Sequence, residues 1–379
     1  MKLAFVVDRF GNRFGGAEAY GVELMRQLSR DHDITVFARE YDPACGIDLP
    51  FVALASWQHW PSWVRVLLFA IRARRATRTG FDIVHSHMNG WCGDIEVIHV
   101  TPVRYNWRVR AMPWLKKTLS FISPRVQTYL GLEARRVQPR PGHRTVAVSQ
   151  LIATQLQQAY GAKNSYPVIP PGVVPPTSVP ETEIEAARTA LGLAATDFIC
   201  LMVARNPMRK GLPTVLAALA QLPPFVKLLV VGSNADTRDF IFGKPGYPDL
   251  SDRVKLVPPT PSVAMYYHMA DLYVHPTLND SFGMAPLEAM SYGLPVIISP
   301  PPWCGFAQYV THDHDALVLD HPENAEQLSS WIHQLSTDHA VRKRLQEGAI
   351  QVVQRHGWDT VASSYLTLYN DVMVEKRSQ

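Results

Sequence analysis

The sequence predicts an α/β protein of two domains, each a parallel sheet with helices packed against it. Three observations carry this reading. Short apolar runs alternate with helix-length amphipathic stretches from the N-terminus to about residue 160, as parallel strands joined by crossover helices require. The stretch Val168-Ile-Pro-Pro-Gly172-Val-Val-Pro-Pro176 then breaks the alternation as a stiff, extended connector. The alternation resumes near residue 198 and continues to about residue 300, so a first domain is expected over 1–172 and a second over 173–357.

Within the first half, residues 3–7 are apolar enough for a buried strand. They lead into Arg9-Phe-Gly11-Asn-Arg-Phe-Gly15-Gly16-Ala17-Glu18, a glycine-bearing loop that opens a helix reaching about residue 30. Glycines there allow close backbone approach to a ligand, although a plain strand-to-helix turn would use them too. Their spacing is not GxGxxG, which argues against a dinucleotide fingerprint. A second strand is expected over 33–38 and a helical stretch over 57–79. The segment Phe81-Asp-Ile-Val-His85-Ser-His87-Met-Asn-Gly90 reads as a strand ending in two histidines, which alternation places on one face at its carboxyl end. Ligands of open α/β sheets collect at such ends, but no further metal ligands are signalled. His99, after Val97 and Ile98, is a further candidate on this side. Residues 145–149 form the last strand of this half, with a helix through residue 159.

In the second half, strands are expected over 198–203, 226–232 and 254–257, with helices over 213–222 and 262–269. The stretch from Asp271 to Ser299 reads as strand, loop, helix, strand. Residues 272–275 are the strand, Asn279, Asp280 and Gly283 supply turn chemistry, and a helix around Pro286 to Met290 stops at Gly293 before a strand over 294–298. Helices from about 323, 340 and 358 close the chain.

Composition excludes several classes. With 379 residues, 47% hydrophobic and 18% charged, the chain is globular, not disordered or collagenous. A net charge of +4 is compatible with anionic ligands and far from a nucleic-acid-binding balance. Cys45, Cys92, Cys200 and Cys304 lack metal-ligand spacing and read as reduced thiols, consistent with a cytoplasmic setting. No run of about 18 apolar residues suggests a membrane span, and the N-terminal apolar run is too short for a secretory signal.

The chemistry concentrates after residue 270. A loop that feeds a helix N-terminus at the carboxyl end of a parallel strand offers free backbone N–H groups and partial positive charge, a place for a phosphate. Asp280 and Glu288 flank that turn, and both carboxylates can face one ligand as hydroxyl acceptors. A helix cap at Asp280 and a solvated acid at Glu288 fit the same pattern. Upstream, Ala204-Arg205-Asn-Pro-Met-Arg209-Lys210-Gly211 places cations between a strand and a helix, either as an anion grip or as an ordinary basic loop. Asp313-His-Asp315 is a DxD triplet whose position suits a loop, and no metal is expected there.

The run Asp280-Ser-Phe-Gly-Met-Ala-Pro-Leu-Glu288-Ala-Met-Ser-Tyr-Gly-Leu-Pro-Val resembles the acidic-x7-acidic signature of the family-four retaining glycosyltransferases, which have the GT-B fold. The likeness extends to Phe282-Gly283, Glu288-Ala-Met and Gly293-Leu-Pro-Val, with Asp280 where the family usually has Glu. It implies two Rossmann-like domains facing across a cleft, with the last helix, 358–379, crossing back to an acceptor-binding first domain. The second domain would bind the nucleotide sugar. Residue by residue, it implies that Arg205 and Lys210 grip the nucleotide diphosphate and that Gly15 and Gly16 border the phosphates. Phe282, Gly283, Met284, Ala285 and Glu288 would line the donor site, and Asp280 and His87 would face the transferred sugar. His85 would be structural.

The expected activity is metal-independent transfer, with retained configuration, of a sugar from a nucleotide diphosphate, UDP before GDP or ADP. The nucleotide sugar is a co-substrate, and no cofactor is expected. The expected acceptor is a cell-envelope glycolipid or polysaccharide such as lipopolysaccharide. Two other readings fit the same residues, a nucleotide-sugar epimerase on this fold and a catalytically silent sugar-nucleotide-binding protein. Basic and aromatic residues interleave over 57–79 and 104–136. They suit peripheral attachment to an anionic membrane on its cytoplasmic face, or capture of a phosphorylated acceptor, or simply a basic solvated helix face.

Overall fold

The computed structural model describes residues 1–54, 59–242, 250–260 and 262–378. Contacts group the chain into two units, Met1–Gly172 with Trp358–Gln379, and Val173–Gly357.

The first unit runs β1 (Lys2–Val6), β2 (Arg9–Phe10), α1 (Gly16–Leu28), β3 (Asp33–Ala38), β4 (Glu40–Tyr41), β5 (Phe51–Ala53), α2 (Ser62–Ala76), β6 (Ile83–Ser86) and β7 (Ile95–Ile98). It continues with α3 (Trp114–Ile122), α4 (Pro124–Val137), β8 (Arg144–Ala147) and α5 (Gln150–Tyr160). Its sheet has the order β5-β3-β1-β6-β7-β8 with every pairing parallel, while β2 and β4 pair separately. Helices cover both faces of such a sheet, so its strands need no polar alternation, and Leu3 to Val6 are all buried. Sequence order reverses between β1 and β6. The loops that follow these two strands carry Gly15 and Gly16, and His87.

The second unit runs α6 (Glu181–Ala190), β9 (Phe198–Val203), α7 (Leu212–Leu219), β10 (Val226–Val231), α8 (Ala235–Phe242), β11 (Val254–Val257), α9 (Ala264–Met269), β12 (Leu272–His275) and α10 (Met284–Ser291). β13 (Val296–Ile298), β14 (Leu317–Val318), α11 (Ala325–Thr337) and α12 (His339–Arg355) complete it. The sheet order β11-β10-β9-β12-β13-β14 is again parallel throughout. Its core packs Cys200, Met202, Leu228, Val230 and Val274 against Leu216, Leu219, Leu328 and Ile332. Each such burial contributes roughly 1.5–3 kcal/mol. Order reverses here between β9 and β12, and at that switch point stand the 204–211 loop and the Asp280 turn.

The last helix, α13 (Trp358–Arg377), belongs to the first unit. Tyr365 and Tyr369 are fully buried, Arg144 pairs with Glu375, and Lys376 Nζ lies 3.0 Å from Asp94 Oδ2.

The structure corrects several boundaries. The expected 57–79 helix is α2 alone; Trp57 and Gln379 lie outside the described residues. Residues 104–136 are a π-helical turn, Tyr105–Val109, followed by two helices that Pro113 and Pro124 start afresh. Strands β5, β7 and β14 and helices α6 and α8 were not expected.

Candidate active site

In the second unit the site is assembled by two loops that touch. Gly211 has φ +88°, and a Cβ there would lie 1.9 Å from the Pro276 carbonyl oxygen, so only glycine lets the 204–211 loop lie against the one after β12. The Leu278 amide then donates to the Arg209 carbonyl at 3.0 Å. This contact brings Lys210 to Asp280, 70 residues away in sequence, and their charges pair directly.

Asp280 is held on three sides. Lys210 Nζ and His275 Nε2, the latter at 2.9 Å, both donate to Oδ2, and the Asp280 amide donates to the Trp303 carbonyl at 2.7 Å. Burial works against the carboxylate, but the His275 hydrogen bond and the Lys210 charge outweigh it and keep the group ionised well below its ordinary range. Burial lowers His275 in turn, so its ring is neutral and the Nε2 proton is the one given to Asp280. Asp280 does not cap α10. That position is Gly283, at φ +111°, and no side chain caps the helix. The first amides of α10, from Met284 and Ala285, have no intrahelical acceptor, which leaves them for an anion.

Glu288 is not a solvated surface acid. It stands one turn inside α10, half-buried, and accepts a 2.9 Å hydrogen bond from the Tyr267 hydroxyl. Burial raises its carboxyl, and Tyr267 offsets part of that rise. The Phe282 ring is buried against Phe306 and Tyr309, so only its backbone can meet a ligand. Arg205 is exposed on the loop after β9. Asp313 and Asp315 are engaged elsewhere. Arg344 bonds to Asp313, and Asp315, buried, accepts from the Thr311 amide at 2.6 Å.

In the first unit, His85 and His87 stand side by side with Nε2 atoms 2.9 Å apart, and His99 packs on His87 with ring centroids 4.5 Å apart. Tyr20 of α1 lies edge-on to His99, and its hydroxyl meets that of Tyr365 at 2.9 Å. Gly15 caps α1, and nothing lies within 4 Å of a Cβ built on Gly16, so that turn is open to a ligand. Burial drives both His85 and His99 down to about 3, and His87 downward as well. Beneath them Arg136 donates from Nε to the buried Glu96 at 3.1 Å.

Sequence reasoning missed His275, Tyr267 and Tyr369. His275 left one signal, a polar residue closing an otherwise apolar strand just before the turn. Tyr267 and Tyr369 left none, since buried aromatics at helical spacing look like core.

Residues 14–175 match the family described as Glycosyltransferase Family 4, and residues 183–352 match Glycosyl transferases group 1. The chain belongs to the family-four glycosyltransferases of the GT-B fold. A D-inositol 3-phosphate glycosyltransferase of Streptomyces bingchenggensis is 26% identical over 95% of this chain and 85% of its own. Among solved structures, WaaG, a glycosyltransferase involved in lipopolysaccharide biosynthesis, superposes with a TM-score of 0.80 at 18% identity, covering 97% of this chain and 99% of that one. HepE of Anabaena, solved with UDP-glucose, gives 0.77 at 18% identity over 98% and 99% of the two chains. The chain is a glycosyltransferase.

Proposed function

We propose that the protein transfers a hexose from a UDP-sugar, with retention and without a metal, to a membrane-bound envelope glycolipid or polysaccharide. The observation that carries this is the meeting of Lys210, Asp280 and the uncapped start of α10 at the switch point of the second sheet. A departing diphosphate gains negative charge as the sugar bond breaks, and Arg205, Lys210 and the helix amides neutralise it. Asp280, held ionised, accepts from a sugar hydroxyl, and Glu288 accepts from the ribose. His87 meets the transferred sugar, and Gly15 and Gly16 line its phosphates. On this reading the first unit, residues 1–172 with 358–379, binds the acceptor, and residues 173–357 bind the donor.

Membrane attachment rests on α3. Trp114 and Ile122 are each 76% exposed, and Leu115, Leu119 and Phe121 are more than half exposed. The helix is seated by Ser120, the residue of α3 that is buried. Arg108 donates to the Ser120 hydroxyl at 2.5 Å, and the Gln127 side-chain amide donates to the Ser120 carbonyl at 2.9 Å. From residue 97 to 132 there is no acidic residue, while Arg104, Arg108, Arg110, Lys116, Lys117 and Arg125 supply cations. An exposed apolar face rimmed by unopposed positive charge fits the surface of an anionic bilayer. By contrast α2 turns Phe69, Ala70 and Ala73 into the core and presents less exposed apolar surface than α3. Among the described residues no helix is long and apolar enough to cross a membrane.

The test is transfer from UDP-glucose and related donors to envelope glycolipid in anionic vesicles, with the product's anomeric configuration read by NMR. Product with inverted configuration, or release of epimerised nucleotide sugar, would overturn the proposal.

A further inference from the structure

Tyr369 lies on α13, and its hydroxyl makes one hydrogen bond among the described residues, to His85 Nδ1. The phenol is fully buried and keeps its proton. A buried O–H with a single neighbouring acceptor donates to it, since the alternative leaves the donor unsatisfied. His85 Nδ1 is therefore the bare nitrogen, and the His85 proton sits on Nε2. That Nε2 faces His87 Nε2 at 2.9 Å, so His85 donates and His87 accepts. A neutral His87 must then carry its proton on Nδ1.

Neutrality is secured from all sides. His87 packs among His85, His99, Arg136 and Tyr20, and burial of its ring, with the positive charge of Arg136, disfavours a second proton. The buried Nδ1 lies against α1 beside Gly21. The Ala17 carbonyl there favours a proton on the ring, yet no hydrogen bond of good geometry is made.

We infer that Tyr369 is a positioning residue. Through His85 it fixes the tautomer of His87, so that His87 carries its proton on the buried Nδ1 beside Gly21 of α1, has its Nε2 engaged by His85, and is not a general base. The relay runs one way, Tyr369 to His85 to His87. With Nε2 engaged by His85 and Nδ1 protonated, His87 has no free basic nitrogen and removes no proton. The tautomer assignment stands on the geometry alone; its effect on transfer rests on the proposal that His87 meets the sugar.

The test is nitrogen NMR on the full chain labelled with 15N-histidine, with His87→Ala used to assign the resonances. The wild type should show His87 with a protonated Nδ1 and a bare Nε2. In Tyr369→Phe the two tautomers should become comparably populated, because nothing then sets the His85 proton. Tyr365→Phe is the control, removing an equally buried hydroxyl that has no bond to His85, and should leave the His87 signal unchanged. Kinetically, Tyr369→Phe should lower kcat at least about twofold with KM for the nucleotide sugar unchanged, since about half the molecules hold the wrong tautomer. A protonated Nε2 on His87 in the wild type overturns the relay, and so does an unchanged His87 signal in folded Tyr369→Phe. The wild-type spectrum decides even where that variant does not fold. If the spectra follow the relay and His87→Ala transfers sugar at the parental rate, the relay stands and the role of His87 at the sugar falls.

Discussion

Replacing Asp280 by Asn keeps the side chain's shape and removes one negative charge from a group that contacts both Lys210 and His275. If Lys210 grips the diphosphate as proposed, an arriving diphosphate shares it with Asp280 in the wild type. A charge-assisted hydrogen bond is worth roughly 1.5–3 kcal/mol. If about half of it is surrendered when the diphosphate binds, freeing Lys210 returns about 1 kcal/mol, or roughly fivefold in Kd. Asp280→Asn should therefore bind bare UDP about fivefold more tightly. Transfer should nevertheless slow by about tenfold to a hundredfold, because the sugar loses a charged acceptor. Lys210→Ala should weaken UDP binding more than Arg205→Ala does, since it leaves Asp280 facing the phosphates unopposed. Adding Asp280→Asn to Lys210→Ala should restore part of that loss, a coupling that a double-mutant cycle measures. Calorimetric titration with UDP and initial rates of transfer give the two readouts. Weaker UDP binding in Asp280→Asn together with parental transfer would refute the reasoning.

The Asp280 carboxyl releases its proton more readily folded than unfolded, so the stability it contributes is present above the unfolded value of about 3.9 and is lost as pH falls through the folded one. Thermal unfolding of wild type and Asp280→Asn should differ by a constant amount from pH 5 to 8, and a gap already gone at pH 6 contradicts this. Gly211→Ala forces a Cβ against the Pro276 carbonyl at a left-handed backbone position; at a cost of about 2 kcal/mol or more the melting temperature should drop by about 4–8 °C, with UDP binding impaired. Excess chelator should leave transfer unchanged, whereas activity lost to chelator and restored by manganese would return Asp313 and Asp315 to consideration. Trp114→Ser with Ile122→Ser should reduce partition onto anionic vesicles by at least about tenfold without moving the melting temperature, as expected for residues that are exposed in solution; unchanged partition would show that α3 does not insert.

The elements most legible in the sequence were those whose signal is local. β9, β11 and β12 are unbroken or nearly unbroken apolar runs ended by turn residues, and they fall where the sequence places them. β7 was not expected because Glu96 interrupts its short apolar run. That carboxylate is fully buried and answered by Arg136, 40 residues on, a partner no local pattern announces. α6 went unseen because none of its residues is buried, so it has no strong apolar stripe. The acidic pair and the basic loop were legible as separate motifs. Their junction was not, because Lys210 reaches Asp280 only through the backbone approach that Gly211 permits. His275 was visible as the end of a strand, but its bond to Asp280 depends on a turn geometry that composition leaves open.

The course of α13 also bears on how the polypeptide is made. The Val173–Gly357 unit is continuous and can close as soon as it leaves the ribosome, whereas the unit begun earlier must wait until that whole stretch has been synthesised. In the interval the seat of Tyr365 and Tyr369 lies open, His85 lacks its phenol, and Arg144 lacks Glu375. The nascent chain thus exposes apolar surface and unpaired strand-flanking groups for as long as translation of some 200 codons takes, about 10–40 s at 5–20 residues per second. Slower translation lengthens this window, and cotranslational chaperones would be expected to act on the first unit before the second.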